Sequence, residues 1–230
     1  MSTIADNLRR IRERIAEACE RSGRSADEID LVAVTKTVPA NRVEEAIRAG
    51  VRIVGENRVQ EAQAKKPLVR EKVSWHMVGH LQTNKVRKAL QLFDLIQSLD
   101  SLHLAEAIQK QCEKLDRYID VLVEVNTSGE ASKYGVAPED VFPFVESVAA
   151  FPRIRVRGLM TIAPLTEDSN KIRSSFVTLR SLFEELRHAS MPNVTMEHLS
   201  MGMTDDFELA IEEGSTMVRL GRAIFGERNA

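Results

Sequence analysis

Leu31-Val32-Ala33-Val34-Thr35-Lys36 sets four apolar residues in a row before a hydroxyl and a lysine. So short and uniformly apolar a run predicts a strand buried on both faces, as in a parallel sheet covered by helices on each side. Lys36 then stands where the strand emerges, and in α/β sheets that edge is where ligands bind. A lysine with its stem against apolar neighbours can lose its charge to desolvation, and a neutral amine attacks carbonyls. The alternative is a solvated lysine just past a strand.

Outward from this run, the chain repeats the same unit. On the N-terminal side, Ile4, Leu8, Ile11 and Ile15 form one helical stripe behind a Thr3–Asp6 capping box, predicting a helix over about 3–21. On the C-terminal side, Pro39 opens a helix that Gly50 stops. Further strands are predicted at Val51–Val54, Trp75–Val78, Leu92–Ile96, Tyr118–Val125, Ile154–Leu159, Val194–Leu199 and Thr216–Leu220, with an amphipathic helix between each pair. Cys112 falls on one of those apolar stripes, as a small core residue would. Eight strand–helix alternations with no linker or repeat imply right-handed βαβ units and a parallel sheet. Eight units in 230 residues fit a closed TIM (β/α)8 barrel in a single domain over 1–230, with the first helix as an extra element. A doubly wound open sheet is disfavoured because no Gly-x-Gly-x-x-Gly follows the first strand.

Composition narrows the partners. With 34 acidic and 32 basic residues well mixed, the net charge of −2 offers no basic field to nucleic acid or a membrane surface. Two cysteines exclude a disulfide framework and a cysteine-based zinc cluster. No apolar run approaches membrane-spanning length. Arg9, Arg10, Arg12 and Arg14 are interleaved with Asp6, Glu13, Glu17 and Glu20, unlike the acid-poor transit peptides, so a cytoplasmic protein is expected.

In a barrel, the residues just after each strand share one mouth. They read Lys36, Asn57, His80, Ser98, Asn126, Met160, Ser200 and the Arg219–Arg222 segment. Carboxylates are nearly absent from this set, which argues against paired-acid hydrolysis. The five histidines show no metal-ligand spacing, so no metal is expected; His80 alone stands at the mouth. Arg219-Leu220-Gly221-Arg222 runs from a strand into a glycine turn, and loops after the last two strands of such barrels often cradle phosphate. A lysine for a Schiff base, a phosphate cradle and an arginine able to face a ring nitrogen are three parts of a pyridoxal phosphate site.

Several stretches together resemble the pyridoxal phosphate homeostasis protein family, single-domain relatives of the barrel half of alanine racemase. They are Ala33-Val34-Thr35-Lys36, Gly55-Glu56-Asn57-Arg58-Val59-Gln60-Glu61, Trp75-His76-Met77-Val78-Gly79-His80-Leu81-Gln82-Thr83-Asn84-Lys85, Gly158-Leu159-Met160-Thr161, Ser200-Met201-Gly202-Met203-Thr204-Asp205-Asp206 and Val218-Arg219-Leu220-Gly221. The resemblance covers essentially the whole chain. It implies that Lys36 holds pyridoxal 5'-phosphate as a Schiff base and that Arg219 faces the pyridine nitrogen. It further implies that Ser200 and the Gly221–Arg222 backbone hold the phosphate, while Asn57 and His80 line the pocket. Family members often carry threonine or serine where this chain has Arg222, leaving open whether that contact is backbone alone or a guanidinium.

The function implied is reversible carriage and buffering of the cofactor without robust catalysis. Its partners would be the cofactor and the apo-enzymes that use it, and the protein would be a monomer or weak dimer. An arginine at the pyridine nitrogen disfavours its protonation and makes the ring a poorer electron sink. Racemisation also needs a second base, and the two tyrosines, Tyr118 and Tyr134, fall at a strand start and in a loop. A weak amino-acid racemase and an aldolase-type sugar-phosphate enzyme are the competing readings.

Overall fold

Thr3 caps the first helix, α1 (Ile4–Arg21), by accepting from the backbone N–H of Asp6, whose carboxylate in turn accepts from the Thr3 N–H. The computed structural model describes residues 3–130 and 133–226, so the predicted loop Asn126–Gly135 lies partly outside the described residues. Strands β1 (Asp30–Val34), β2 (Ile53–Glu56), β3 (Ser74–Met77), β4 (Leu95–Leu99), β5 (Ile119–Glu124), β6 (Ile154–Met160), β7 (Val194–Ser200) and β8 (Met217–Leu220) each pair in parallel with the next. β8 pairs with β1, closing the barrel. Between them run α2 (Ala40–Arg48), α3 (Val59–Lys65), α4 (Val86–Leu92), α5 (Leu102–Lys114), α6 (Val141–Ala149), α7 (Ser169–His188) and α8 (Phe207–Glu212), and α9 (Arg222–Phe225) follows β8. No described helix is long and apolar enough to cross a membrane.

The predicted TIM barrel is the observed fold, with strand limits displaced by up to three residues. Val51 is not in β2, because its N–H closes α2 on the Ala46 carbonyl across Gly50, whose φ is +95°. Leu92 likewise completes α4, so the fourth strand begins at Leu95 and not at Leu92.

The main core lies between the strands and the helices. Phe176, Phe207, Leu90, Ile108 and the α1 stripe Ile4, Leu8, Ile11 and Ile15 are buried there, each contributing about 1.5–3 kcal/mol. Cys112 is part of this core. Smaller apolar clusters, one of Val32, Val78 and Met217 and another of Leu95, Leu122 and Met160, lie apart from it. α1 packs across the end of the chain, where Asn7 donates to the Ile224 carbonyl and Arg14 and Arg21 pair with Glu208 and Glu212 of α8.

Candidate functional site

β1 ends at Val34, and the chain then turns: the Val38 N–H bonds the Thr35 carbonyl at 3.0 Å, and Thr37 sits at φ +63°. That is the turn position at which a positive φ is required. Lys36 therefore projects from a turn at the strand's mouth, and it is half-buried. Its neighbours are pinned from three sides. The Thr35 N–H donates to Gly55 at 2.9 Å, the Thr35 carbonyl accepts from Lys65 Nζ at 2.6 Å, and the Thr37 N–H donates to Glu61 Oε2 at 2.8 Å.

Lys36, Asn57 and His80 border one cavity of about 700 Å³, together with Arg58, Lys85 and Tyr134. Asn57 follows β2 directly, and its side-chain oxygen is buried with no protein partner. An orphan of this kind costs about 1–3 kcal/mol, which a polar ligand would relieve. His80 Nδ1 donates to Asp100 Oδ2 at 2.9 Å, which fixes the orientation of the ring. Its ring stacks on Tyr134 at 3.9 Å between centroids. Tyr134 is thus a loop contact on His80.

Gly79 sets the spacing of this wall, since a Cβ there would lie 2.5 Å from the Asn57 carbonyl oxygen and 2.8 Å from its Cα. Gly79→Ala should cost about 1–3 kcal/mol in urea unfolding, because the obstructing atoms are backbone and cannot rotate away. An unchanged midpoint would show that the wall gives.

Ser200 and Arg219 lie inside the barrel. Arg219, 4% exposed, donates through Nη1 to Ser200 Oγ at 2.6 Å and through Nη2 to the Thr161 carbonyl at 2.7 Å. Ser200 Oγ donates in turn to Gln97 Oε1 at 2.7 Å, and Gln97 Nε2 donates to His76 Nδ1 at 3.0 Å. Gln97 is on β4 and Ser200 on β7, strands that meet only across the lumen. Every link runs in one donor direction, outward from the guanidinium, so the links polarise one another. Burial pushes His76 down to about 4, keeping it neutral as the terminal acceptor. Burial also pulls Arg219 down to about 10, opposed by Glu124 and Asp206, and it stays charged at neutral pH.

The mouth is richer in carboxylates than the sequence pattern implies. β4 runs through Ser98 to Leu99, so Asp100 and not Ser98 is the first residue beyond it, and β5 ends on Glu124 two residues before Asn126. Met160 and Ser200 likewise close β6 and β7 from within. Glu124 is 7% exposed; burial first, then Asp100, raises its carboxyl from 4.5 to about 7, with Arg219 opposing. Between 4.5 and about 7 the folded chain keeps a proton that the unfolded chain has lost, so this group's contribution falls as pH rises through that window, by up to about 3 kcal/mol. Glu124→Gln should therefore gain stability relative to the parent between urea curves taken below 4.5 and above 7. An equal difference at both ends would refute the buried-acid assignment.

Gly221 and Arg222 meet Lys36 and Thr37 around a second, smaller cavity of about 40 Å³. The Arg222 guanidinium is held by Asp205 Oδ2, so this turn presents the cavity mainly with backbone. Of the seven residues singled out in the sequence, Lys36, Asn57, His80, Gly221 and Arg222 reach cavities that Lys36 borders, and Ser200 and Arg219 are bonded to each other beneath them. Missed were Gln97, Glu124, Asp100 and the buried Lys65–Glu56 pair. The signal for Lys65 was its place on the apolar stripe of Val59 and Ala62.

Residues 2–229 match the family model described as alanine racemase, N-terminal domain. The chain is 45% identical to the pyridoxal phosphate homeostasis protein of Aquifex aeolicus over 97% of both chains. A crystal structure from Bifidobacterium adolescentis, of a protein described as unknown, superposes with a TM-score of 0.94 at 39% identity, covering 96% of this chain and 94% of that one. PipY of Synechococcus elongatus, solved with pyridoxal phosphate bound, superposes with a TM-score of 0.82 at 37% identity, covering 94% of this chain and all of that one (100%).

Proposed function

The chain belongs to the alanine racemase N-terminal domain family and, within it, to the pyridoxal phosphate homeostasis proteins, and on that premise we propose that it binds pyridoxal phosphate reversibly on Lys36 and buffers the cofactor. The observation that carries the reading is the position of Lys36. Its pinned turn borders both the large cavity and the smaller one lined by Gly221 and Arg222, so Lys36 stands where the two cavities approach the same turn. The residues fit the group. The Lys36 amine suits an aldehyde, the first N–H groups of α9 suit a phosphate, and the orphaned Asn57 oxygen awaits a polar partner.

Pyridoxal phosphate supplies an aldehyde for covalent attachment and a ring that withdraws electrons. Lys36 would supply the amine, the Gly221–Arg222 backbone would hold the phosphate, Asn57 and His80 would line the ring's space, and Arg219 would supply a fixed positive charge to the site. Ser200, its hydroxyl committed to Arg219 and Gln97, orients that guanidinium in this reading and approaches the phosphate only as wall. Carriage is favoured over turnover because Arg219 is locked to Ser200 and Thr161 and keeps its protons at neutral pH, and because Tyr134 is stacked on His80. Apo-enzymes that use the cofactor are the recipients in this reading. A cytoplasmic setting suits the two buried free thiols.

The test is chemical. Protein incubated with pyridoxal phosphate should develop a visible absorbance band, and borohydride should fix the added mass on the peptide carrying Lys36. No band, or mass fixed elsewhere, sinks the reading.

A further inference from the structure

Beneath the Lys36 turn lies a buried ion pair that the reading above does not use. Lys65 of α3 and Glu56 of β2 are both buried, and Lys65 Nζ bonds Glu56 Oε1. The pair is tied twice to Thr35, in the turn that carries Lys36. Lys65 Nζ donates to the Thr35 carbonyl at 2.6 Å, and Thr35 Oγ1 donates to Glu56 Oε1 at 2.6 Å. Glu56 Oε2, equally buried, has no partner. Taking two charges out of water costs several kcal/mol per ion, and well-packed apolar replacements of such pairs are often neutral or stabilising. Stability alone therefore gives this pair little reason to exist. Its bonds reach one place, the residue immediately before Lys36, while Glu61 of the same helix holds the residue immediately after it.

We infer that Lys65 and Glu56 are positioning residues that fix the Thr35–Lys36 backbone and so aim the Lys36 amine. The inference rests on Lys36 being the reacting amine. Lys65 acts as a hook, because an ammonium with three donors can hold a carbonyl and a carboxylate at once. Glu56 Oε1 accepts from Lys65 Nζ in this dry site and also anchors the Thr35 hydroxyl. Without the hook, the turn still closes through its Thr35–Val38 bond, but its start is free to shift, and displacements near 1 Å are enough to cost about 100-fold in a positioned reaction.

The deciding experiment is the paired replacement Glu56→Leu with Lys65→Met, which removes both charges together. Stability and function should then part: the urea midpoint is expected to hold or rise, while the dissociation constant for pyridoxal phosphate rises about 10- to 100-fold. A second readout needs no cofactor. With lysines methylated by 13C-formaldehyde, the Lys36 resonance of the parent should stand apart from those of exposed lysines such as Lys88, and should merge with them in the double variant. Unchanged affinity and an unchanged resonance in a folded double variant overturn the inference. Should that variant fail to fold, Thr35→Val, which deletes only the hydroxyl tie, takes its place with the same two readouts; parental values there overturn the inference as well. A parent protein that captures no pyridoxal phosphate removes the proposed function, and the resonance arm then decides the positioning role alone.

Discussion

The Lys36→Ala protein is expected to lose all borohydride-fixed pyridoxal phosphate while its stability stays within about 0.5–1 kcal/mol of the parent. The first half follows from chemistry. Alanine has no amine, and the other lysine at the cavity, Lys85, enters from the 83–86 segment beyond the third strand and not beside the glycine turn. The second half follows from how the turn is held. Its bonds run from Thr35 and Thr37 to Gly55, Lys65 and Glu61, and each of them survives when the Lys36 side chain is shortened. Lys36→Arg sharpens the test by keeping a long cation and removing only the nucleophile. Mass fixed on another lysine in either variant would place the covalent site elsewhere. A drop of several kcal/mol would show that Lys36 is part of the framework.

Arg219→Met should destabilise the protein by about 3–5 kcal/mol in urea unfolding near neutral pH. Methionine fills much of the space but leaves Ser200 Oγ and the Thr161 carbonyl without their donor, deep in the barrel. It also removes a cation that offsets burial at both Glu124 and Asp206. Arg219→Lys should recover part of the loss, since a point charge can serve the carboxylates but not both hydrogen bonds in the same fork geometry. Combining Arg219→Met with Glu124→Gln should cost less than the sum of the two changes, because the second removes a carboxylate that the first has stranded. Strict additivity would mean that Glu124 and Arg219 do not share one electrostatic site.

The barrel was legible because covering a sheet on both faces forces apolar runs and amphipathic stripes to alternate, and both periods survive in this chain. Lys36 was legible because a charge directly after a buried run marks the strand's exit. The lumen was not. Gln97 and Ser200 are 103 positions apart, and no local period links a glutamine in one strand to a serine three strands later. Glu124 was overlooked for a different reason. Val125 extends the apolar run by one residue, so the pattern places the strand's end beyond the carboxylate and leaves the mouth short of acids. The resemblance places Ser200 at the phosphate, and only the side-chain bonds reveal that its hydroxyl also meets Arg219 and Gln97. Lys65 carried a readable signal, a charge on an apolar stripe, which means little until the carbonyl it reaches is known.

The closing of β8 onto β1, with α1 laid across the seam, also fixes when in the protein's life the site can exist. Asn7 and Ile224, 217 positions apart, are bonded to each other, and Lys36 meets Gly221 from the opposite end of the chain. Contacts so distant in sequence form late and slow folding, because a long loop must close before they are rewarded. During synthesis from the N-terminus, Lys36 is made well before the glycine turn that faces it. A chain stopped before Met217 would expose the edge of β1 and have no turn opposite its lysine. Cofactor capture is thus a property of the closed barrel, and pyridoxal phosphate added during refolding should report the last step of closure and not the first collapse.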